Sequence, residues 1–260
     1  MTNRTAVIIP NYNMPERTDA LVEYLMKHAE APHDIFVVDN GSDLCKPSKY
    51  TRLFITDNCQ TTCGWLAGLN AADDWAEQNE EPYFAYLIMI TSTEFVEESG
   101  DPLTPLVEFL VANPNAAVVH AALTTDSTSA LVNQMMDRGS SRPRRTYLID
   151  NIAALWRADY LNEIGRFREE LRMGWGVLPE VCWKARRDRR TIWIHEGTVV
   201  KKISNIGYKM NRMNMTAKER RGLASAEARL ILEPIYGPDF NEKLAHEWTE
   251  HTGRDWECIY

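Results

Sequence analysis

The chain has 260 residues and a net charge of −8, with 44% apolar and 25% charged residues. This length suits one large α/β domain or two small ones, and it can bury a full core without disulfide bonds. The acidic balance argues against a general nucleic-acid-coating protein, although it leaves room for a local basic patch. No segment approaches the ~18 apolar residues of a membrane span, and the first apolar run is too short for a signal peptide.

The cysteines suggest a reducing environment. There are five, an odd number, and they lack the regular spacing of a disulfide framework. We therefore predict a cytoplasmic protein. Cys59 and Cys63 stand four residues apart, but no second pair completes a zinc site, so we interpret both as small apolar fillers.

The amino-terminal half alternates strand and helix patterns. A short apolar run at residues 6–9 ends at Pro10 and predicts a buried strand. A helix is then predicted from Pro15, with its apolar stripe formed by Leu21, Val22, Leu25 and Met26. The next segments predict a strand in "DIFVVDNGSD", a strand in "TRLFIT", a loop and helix in "TTCGWLAGLNAADDWAEQN", a strand in "YFAYLIMI", a helix in "PLTPLVEFLVANPN" and a strand in "AAVVHAAL". This order predicts a parallel sheet with helical crossovers through residue 123.

The pattern changes after Leu123. Residues 124–146 are polar and arginine-rich and predict a mobile loop. Beyond them we predict an extended segment and helix in "YLIDNIAALWRADYLNEIGRFREEL", a loop and helix in "GWGVLPEVCWKARRDRR" and a strand in "TIWIHEGTVVKK". From about Lys209 onward the chain predicts amphipathic helices that pack on the main domain.

Polar clusters follow three of the predicted strands. They read "PNYN", "DNGSD" and "TSTE". Ligands of open parallel sheets bind outside the carboxyl ends of the strands, so the three clusters together predict a ligand site.

These motifs resemble those of inverting family-two glycosyltransferases. "AVIIPNYNMPERTDALVEYL" followed by "IFVVDNGSD" is similar to the opening of that family, and looser likenesses continue to about residue 202. The resemblance implies a GT-A fold, an α/β architecture with a mainly parallel sheet flanked by helices and a helical C-terminal extension. It implies a glycosyltransferase domain at 1–205, divided into a nucleotide-binding half at 1–123 and an acceptor-binding half at 124–205. The extension at 206–260 offers helices through which the chain could form an oligomer.

The resemblance also implies a nucleotide-sugar donor and an acceptor that is a glycan or another hydroxyl compound. Tyr12 would lie beside the base and Asp39 would accept a hydrogen bond from it. A half-buried aromatic for Tyr12 and a turn residue for Asp39 remain the alternatives. The full nucleotide-binding set implied is Pro10, Asn11, Tyr12, Asn13, Asp39, Asn40, Thr91, Ser92 and Thr93.

The chain departs from the family where a metal is expected. Members usually carry a D-x-D motif after the fourth strand, whose carboxylates hold Mg²⁺ or Mn²⁺. Here the hydroxyls of 91–93 are followed by Glu94, which leaves at most a weak metal site. Two lysines stand near the position where many family members have a late metal-binding histidine, and His195 comes several residues before that position. We therefore predict that no metal cofactor is required, and that cations offset the diphosphate charge: Lys201, Lys202, Arg142 and Arg145, with Arg144 beside them.

The catalytic base is also atypical. An inverting transferase needs a carboxylate to accept the acceptor's proton. Position 178 is leucine where the family has aspartate, so Glu180 is the predicted base, with a helix-start residue as its alternative. Asp150 is a second carboxylate on the acceptor side. Trp175 is predicted to form an acceptor wall, although a core tryptophan would look the same.

Three functions remain open from the sequence. The first is a metal-independent inverting glycosyltransferase. The alternative is a catalytically degenerate protein of the same fold that binds sugar nucleotides or glycans without turnover. A nucleotidyltransferase ranks last, because "PNYNMPER" lacks the glycine- and lysine-rich loop that such an enzyme needs after its first strand.

Overall fold

Strands of one twisted sheet, with helices packed around them, make up the structure. The computed structural model describes residues 3–96, 100–129, 131–203 and 216–246. The strands are β1 Thr5–Asn11, β2 His33–Asn40, β3 Thr51–Ile55, β4 Ala85–Met89, β5 Thr93–Phe95, β6 Ala116–Leu123, β7 Arg144–Thr146, β8 Ala153–Arg157 and β9 Thr191–Lys202. The helices are α1 Pro15–His28, α2 Gln60–Asn79, α3 Thr104–Ala112, α4 Val132–Met135, α5 Ala158–Glu163, α6 Val177–Arg187, α7 Ala217–Tyr236 and α8 Phe240–His246.

The sheet order creates a switch point beside β1. Strands run in the order β3-β2-β1-β4-β8-β6-β9-β5, and β7 pairs with β9. β1 is parallel to both β2 and β4, so the chain first winds to one side of β1 and then returns to the other. A crevice opens at the carboxyl ends of strands where the winding reverses. The ends of β1 and β4 therefore flank the expected ligand site.

The sheet is mixed rather than continuously parallel through residue 123. β8 lies between β4 and β6 and is antiparallel to both. All five of its residues are buried, including the fully buried Trp156. β6 runs in the same direction as β1, β2 and β4, as predicted, but it does not pair with β4. The strand that separates β4 from β6 comes later in the chain, so the pattern of the first half contains no signal for it.

Helix α1 shows how closely local pattern and structure agree. It begins at Pro15, with Glu16 in its first turn, as predicted. Leu21, Val22 and Leu25 are buried, but Met26 is 63% exposed. At 3.6 residues per turn Met26 lies at the edge of the apolar stripe, so the prediction of its burial is wrong.

Helix α2 begins at Gln60, one residue before the segment predicted as a loop followed by a helix, so the residues predicted as loop are already helical. The helix lies close to the sheet. A Cβ atom on Gly68 would stand 2.3 Å from the side chain of Ile8, and one on Gly64 would stand 3.1 Å from Pro10. Both glycines therefore permit the close backbone approach that the sequence predicted. This approach brings the first turn of α2 beside the ends of β1 and β2.

Helix α7, the longer of the two described helices in the C-terminal extension, packs on the rest of the chain. Its amino end has a capping box, in which Thr216 and Glu219 each bind the other's backbone N–H. Leu232 is buried against Gly176, where an added Cβ would stand 2.6 Å from the leucine methyl. Gly176 has φ of 83°, which favours glycine. The helix thereby supports the segment that leads into α6, while the predicted extension at 206–215 and 247–260 lies outside the described residues.

The segment predicted as a mobile loop after Leu123 is partly ordered. It contains helix α4 and strand β7, and β7 pairs with β9. Across the described part of the chain, no helix combines the length and apolarity needed to cross a membrane.

Candidate functional site

A cleft of about 310 Å³ lies at the switch point of the sheet. This volume is at the lower end of the range for small-molecule sites. The first half of the chain lines it with Pro10, Asn11, Tyr12, Met14, Asn40, Asn58, Gln60, Thr61, Trp65, Ile90, Thr91 and Ser92. The second half contributes Asp150, Met173, Gly174, Trp175, Lys202, Ile203 and Arg220.

Asn11 and Asp39 join the ends of β1 and β2 beneath the cleft. Asn11 donates a hydrogen bond of 2.9 Å to Asp39 Oδ2, and its own Oδ1 accepts from the Met14 N–H and the Thr18 hydroxyl. Asp39 Oδ1 accepts from the Ser42 N–H at 2.8 Å. Asp39 is 3% exposed and is not among the lining residues. Its carboxylate thus holds the cleft floor, and a direct contact with a base remains a prediction.

Asn13 has a comparable supporting role. It has φ of 55° and is 1% exposed. Its Oδ1 accepts from the backbone N–H groups of Asp43 and Leu44, and its Nδ2 donates to the Asp43 carboxylate. The predicted nucleotide-binding residues thus divide in two. Pro10, Tyr12 and Asn40 line the cleft, as does buried Asn11, while Asn13 and Asp39 fasten the loops behind it.

Asn40 organises the opposite wall. Its Nδ2 donates to the Gln60 carbonyl at 2.9 Å, and its Oδ1 accepts from the Cys59 N–H at 3.1 Å. Gln60 has φ of 74°, which is unusual for a residue other than glycine. Its side-chain oxygen accepts a hydrogen bond of 3.1 Å from Arg220 of α7. A series of hydrogen bonds therefore links β2, the start of α2 and α7 along this wall.

The cysteines beside this wall form a bond that the sequence analysis did not predict. Cys59 and Cys63 are joined in a disulfide, so their interpretation as small apolar fillers is wrong. The four-residue spacing places both side chains on one face at the start of α2. Disulfides are uncommon in reducing compartments, so the cysteine content no longer supports the predicted cytoplasmic location.

The side chains of residues 91–94, which follow β4, point in different directions. Thr91 and Ser92 line the cleft, whereas Thr93 is 1% exposed and donates to the Ile152 carbonyl at 3.0 Å. Glu94 forms an ion pair of 3.0 Å with Arg17 and is not among the lining residues. Thr93 begins β5, and its buried hydroxyl is bound to the Ile152 carbonyl, so its assignment as a nucleotide-binding residue is corrected.

These residues do not fit a carboxylate-held metal site. Mg²⁺ and Mn²⁺ prefer carboxylate, carbonyl and water oxygens. Within the described residues, no group of three Asp, Glu, His or Cys side chains is arranged to hold a metal ion. Glu94, the predicted fallback ligand, is already paired with Arg17. We therefore derive no catalytic step through a metal, and metal independence stays a prediction.

The two neighbouring lysines of β9 have different positions. Lys202 lines the cleft, but Lys201 pairs with Asp126 at 2.5 Å and is not among the lining residues. Adjacent strand residues face opposite sides of a sheet, so only one of the two could face the cleft. The prediction that Lys201 binds the diphosphate is therefore corrected.

Asp150 and Lys202 bring opposite charges to the acceptor side. Asp150 lies in the loop before β8 and accepts hydrogen bonds from the Asn151 N–H and the Ser129 hydroxyl. Burial raises the pKa of its carboxyl, and the charge of Lys202 partly opposes this rise. Burial lowers the pKa of Lys202, and Asp150 partly opposes that change. A carboxylate whose pKa is raised is a stronger base, which suits it to accept a proton.

Glu180 lies away from the cleft. Its side chain is fully buried, and Arg168 binds it at distances of 2.5 to 3.1 Å. Tyr236 donates a further hydrogen bond at 2.8 Å, and Lys184 stands 3.9 Å away. A carboxylate held in this way cannot reach an acceptor in the cleft. The prediction that Glu180 is the catalytic base is therefore wrong. Pro179 does not turn the side chain inward, because α6 begins at Val177 and directs residue 180 into the packed core.

The arginines predicted to bind diphosphate lie outside the cleft. Arg142 is exposed, and the Arg145 guanidinium stands 5.2 Å from the centroid of the Trp193 ring. Arg144 pairs with Glu196 at 2.5 Å and donates to the carbonyls of residues 134 and 136. Arg144 and Arg145 belong to β7, whose pairing with β9 directs them away from the lining, and Arg142, which precedes β7, is not a lining residue either. Their assignment is therefore corrected.

Trp175 is exposed at the cleft, and its role as an acceptor wall stays a prediction. It lines the cleft and is 40% exposed. Helix α7 supports its segment, since Glu227 accepts a hydrogen bond of 2.9 Å from the Met173 N–H. Several lining residues were not predicted, because neither spacing nor motif marks them in the sequence: Gln60, Trp65, Met173, Ile203 and Arg220.

Comparison with known proteins supports the architecture. No protein-family model and no curated protein sequence matches the chain. Among solved structures, the crystal structure of GalNAc-T7 with UDP, GalNAc and Mn²⁺ is similar, with a TM-score of 0.60 at 10% identity over 78% of this chain and 44% of that one. The chain thus spans less than half the length of that protein. The likeness confirms the predicted GT-A-like α/β fold, whereas membership of family two stays a prediction.

Proposed function

We propose that the protein is a glycosyltransferase that moves a sugar from a nucleotide-sugar donor to an acceptor hydroxyl with inversion. One observation carries the proposal. The cleft lies at the switch point beside β1, and among its described lining residues Asp150 is the single carboxylate. The similar solved structure, GalNAc-T7, contains UDP and GalNAc, which favours a nucleotide sugar as the donor.

The donor would lie along the walls formed by β1, β2 and α2. Tyr12 offers an aromatic face to the base, and Asn40 holds the opposite wall through Gln60. Thr91 and Ser92 offer hydroxyls near the sugar and phosphates. Binding in this pre-formed crevice would orient the anomeric carbon toward the acceptor side, which lowers the entropic cost of reaction.

Asp150 is the proposed general base. As the acceptor oxygen attacks the anomeric carbon, the carboxylate would take its proton while the bond to the diphosphate breaks on the opposite face. This single displacement inverts the anomeric centre and releases a nucleoside diphosphate. Lys202 would offset part of the negative charge that develops on the leaving group. Trp175 would provide an apolar wall for the acceptor.

Two measurements test the function. A panel of UDP, GDP, ADP, CDP and dTDP is titrated against the protein by calorimetry, and the matching nucleotide sugars are then assayed for transfer and for donor hydrolysis. We expect one diphosphate to bind and its sugar conjugate to turn over. Asp150→Asn should retain diphosphate binding and lose about 10²-fold or more in turnover. Lack of binding by every member of the panel would refute the proposal.

A second function has its own support. The carboxylates of a D-x-D motif are absent after β4, and Glu180 is buried. Both observations favour a protein that binds a sugar nucleotide or glycan without turnover. Binding of a diphosphate combined with no transfer and no hydrolysis of any donor in the panel would establish this alternative.

A further inference from the structure

We propose that Arg220 of α7 binds the diphosphate of the donor and forms, with Lys202, a two-cation anion site across the cleft. The inference rests on the proposed function and adds the C-terminal helix to the donor site. No part of the sequence resemblance reaches this helix, which begins at residue 217.

The position of Arg220 is the first support. It lies in the first turns of α7, is half-buried and lines the cleft, whereas its neighbour Arg221 is exposed. One Nη of Arg220 donates to the Gln60 side chain at 3.1 Å. A guanidinium has five N–H donors in a planar fork, and this geometry matches the paired oxygens of a phosphate. The hydrogen bond to Gln60 orients the group at the cleft wall.

The charge balance of the cleft is the second support. The protein carries a net charge of −8. Among the described lining residues, however, two cations, Lys202 and Arg220, face one carboxylate, Asp150. Two cationic side chains that line one cleft favour the binding of an anion there. The absence of D-x-D carboxylates after β4 agrees with this charge balance. Without a metal ion between them, such carboxylates would repel a diphosphate.

The conformation of Gln60 is the third support. Its φ of 74° costs free energy in a residue that is not glycine. Three contacts hold it: its N–H donates to Asn58 at 2.8 Å, its carbonyl accepts from Asn40 and its side chain accepts from Arg220. Arg220 is thus fastened to the wall that also contains Asn40. The arginine and the nucleotide wall are therefore pre-organised together.

The test compares Arg220→Ala with Arg221→Ala, which removes the same charge from an exposed position one residue along the helix. Each variant is titrated with the tightest nucleoside diphosphate of the panel, with the corresponding nucleoside and with inorganic pyrophosphate. Arg220→Ala should weaken diphosphate and pyrophosphate binding by about 10- to 100-fold, the scale of a charged hydrogen bond, and leave nucleoside binding nearly unchanged. Arg221→Ala should bind like the wild type, and Arg220→Lys should recover part of the loss because it restores charge without the fork.

The outcomes separate this inference from the function on which it rests. If the wild type binds a diphosphate and Arg220→Ala binds it equally well, the anion site is wrong while the donor cleft stands. An equal loss of nucleoside and diphosphate binding in Arg220→Ala would also overturn the site, since it would mean that the arginine only supports Gln60 and Asn40. If the wild type binds no diphosphate, the proposed function fails and this inference fails with it. Thermal unfolding of each variant checks that the fold is retained.

Discussion

Tyr236 at the end of α7 donates a hydrogen bond of 2.8 Å to the fully buried carboxylate of Glu180 in α6. Arg168 completes the contact with a bidentate ion pair. The contacts of Glu180 with Tyr236 and Arg168 join α7 to the segment that contains Trp175. This group is therefore a structural centre, and substitutions within it should affect stability before chemistry.

Glu180→Gln should destabilise the protein by about 2–4 kcal/mol, because removal of one partner leaves Arg168 without its counter-charge in a largely buried site. Denaturant unfolding measures this loss. At temperatures where the variant is folded, turnover should stay within a few-fold of the wild type. Loss of turnover by ~10²-fold in a variant of wild-type stability would return Glu180 to the role of base. Tyr236→Phe is the milder companion, since it removes only one hydrogen bond.

The pH profile of kcat should report Asp150. A base acts only when it is deprotonated, so activity is lost as the pH falls through its pKa in the folded protein. Burial raises that pKa above its usual value of 3.8, and Lys202 lowers it. Lys202→Met should therefore move the acidic limb to higher pH, measured at saturating donor to separate it from weaker binding. A limb that stays in place or moves to lower pH would contradict the pairing of Asp150 with Lys202.

Asp39→Ala should weaken nucleotide binding indirectly. The change removes the acceptor for Asn11 Nδ2 and for the Ser42 N–H, so the ends of β1 and β2 lose their connection. We expect a loss of about 1–3 kcal/mol in stability and reduced affinity for nucleoside and nucleoside diphosphate alike. Calorimetry and thermal unfolding measure both. Asp57→Ala, which removes an exposed carboxylate after β3, is the control. Unchanged nucleoside affinity in Asp39→Ala would show that this floor does not shape the base pocket.

Transfer should survive EDTA, because the described residues after β4 offer no carboxylate cage and cations line the cleft. Lys202→Ala should reduce kcat more than chelation does, since it removes charge beside the leaving group. Lys201→Ala serves as a matched control on the same strand, where the lysine pairs with Asp126. Complete loss of transfer on chelation, restored by Mn²⁺, would refute metal independence.

Local pattern in the sequence determined most of the elements and the edge where the site lies. Apolar runs and helical stripes predicted β1, α1, β2, β4 and β6 at nearly their observed bounds, because burial of one face imposes a period that can be read residue by residue. The polar clusters after β1, β2 and β4 predicted the edge of the sheet at which the crevice lies. A position directly after an apolar strand can be read from the local chain.

The tertiary structure alone decided which side chains face the cleft. Spacing could not tell Lys202 from Lys201, since they differ by one position of strand register and the pairing of β9 with β5 and β6 sets that register. Glu180 and Asp150 are both carboxylates beside apolar residues, and only the packing of α6 against α7 buries one while the loop before β8 presents the other. Arg220 reaches the cleft from a helix about 160 residues beyond Gln60 in the chain. Contacts between such distant segments depend on the relative positions of packed elements, which no local period encodes.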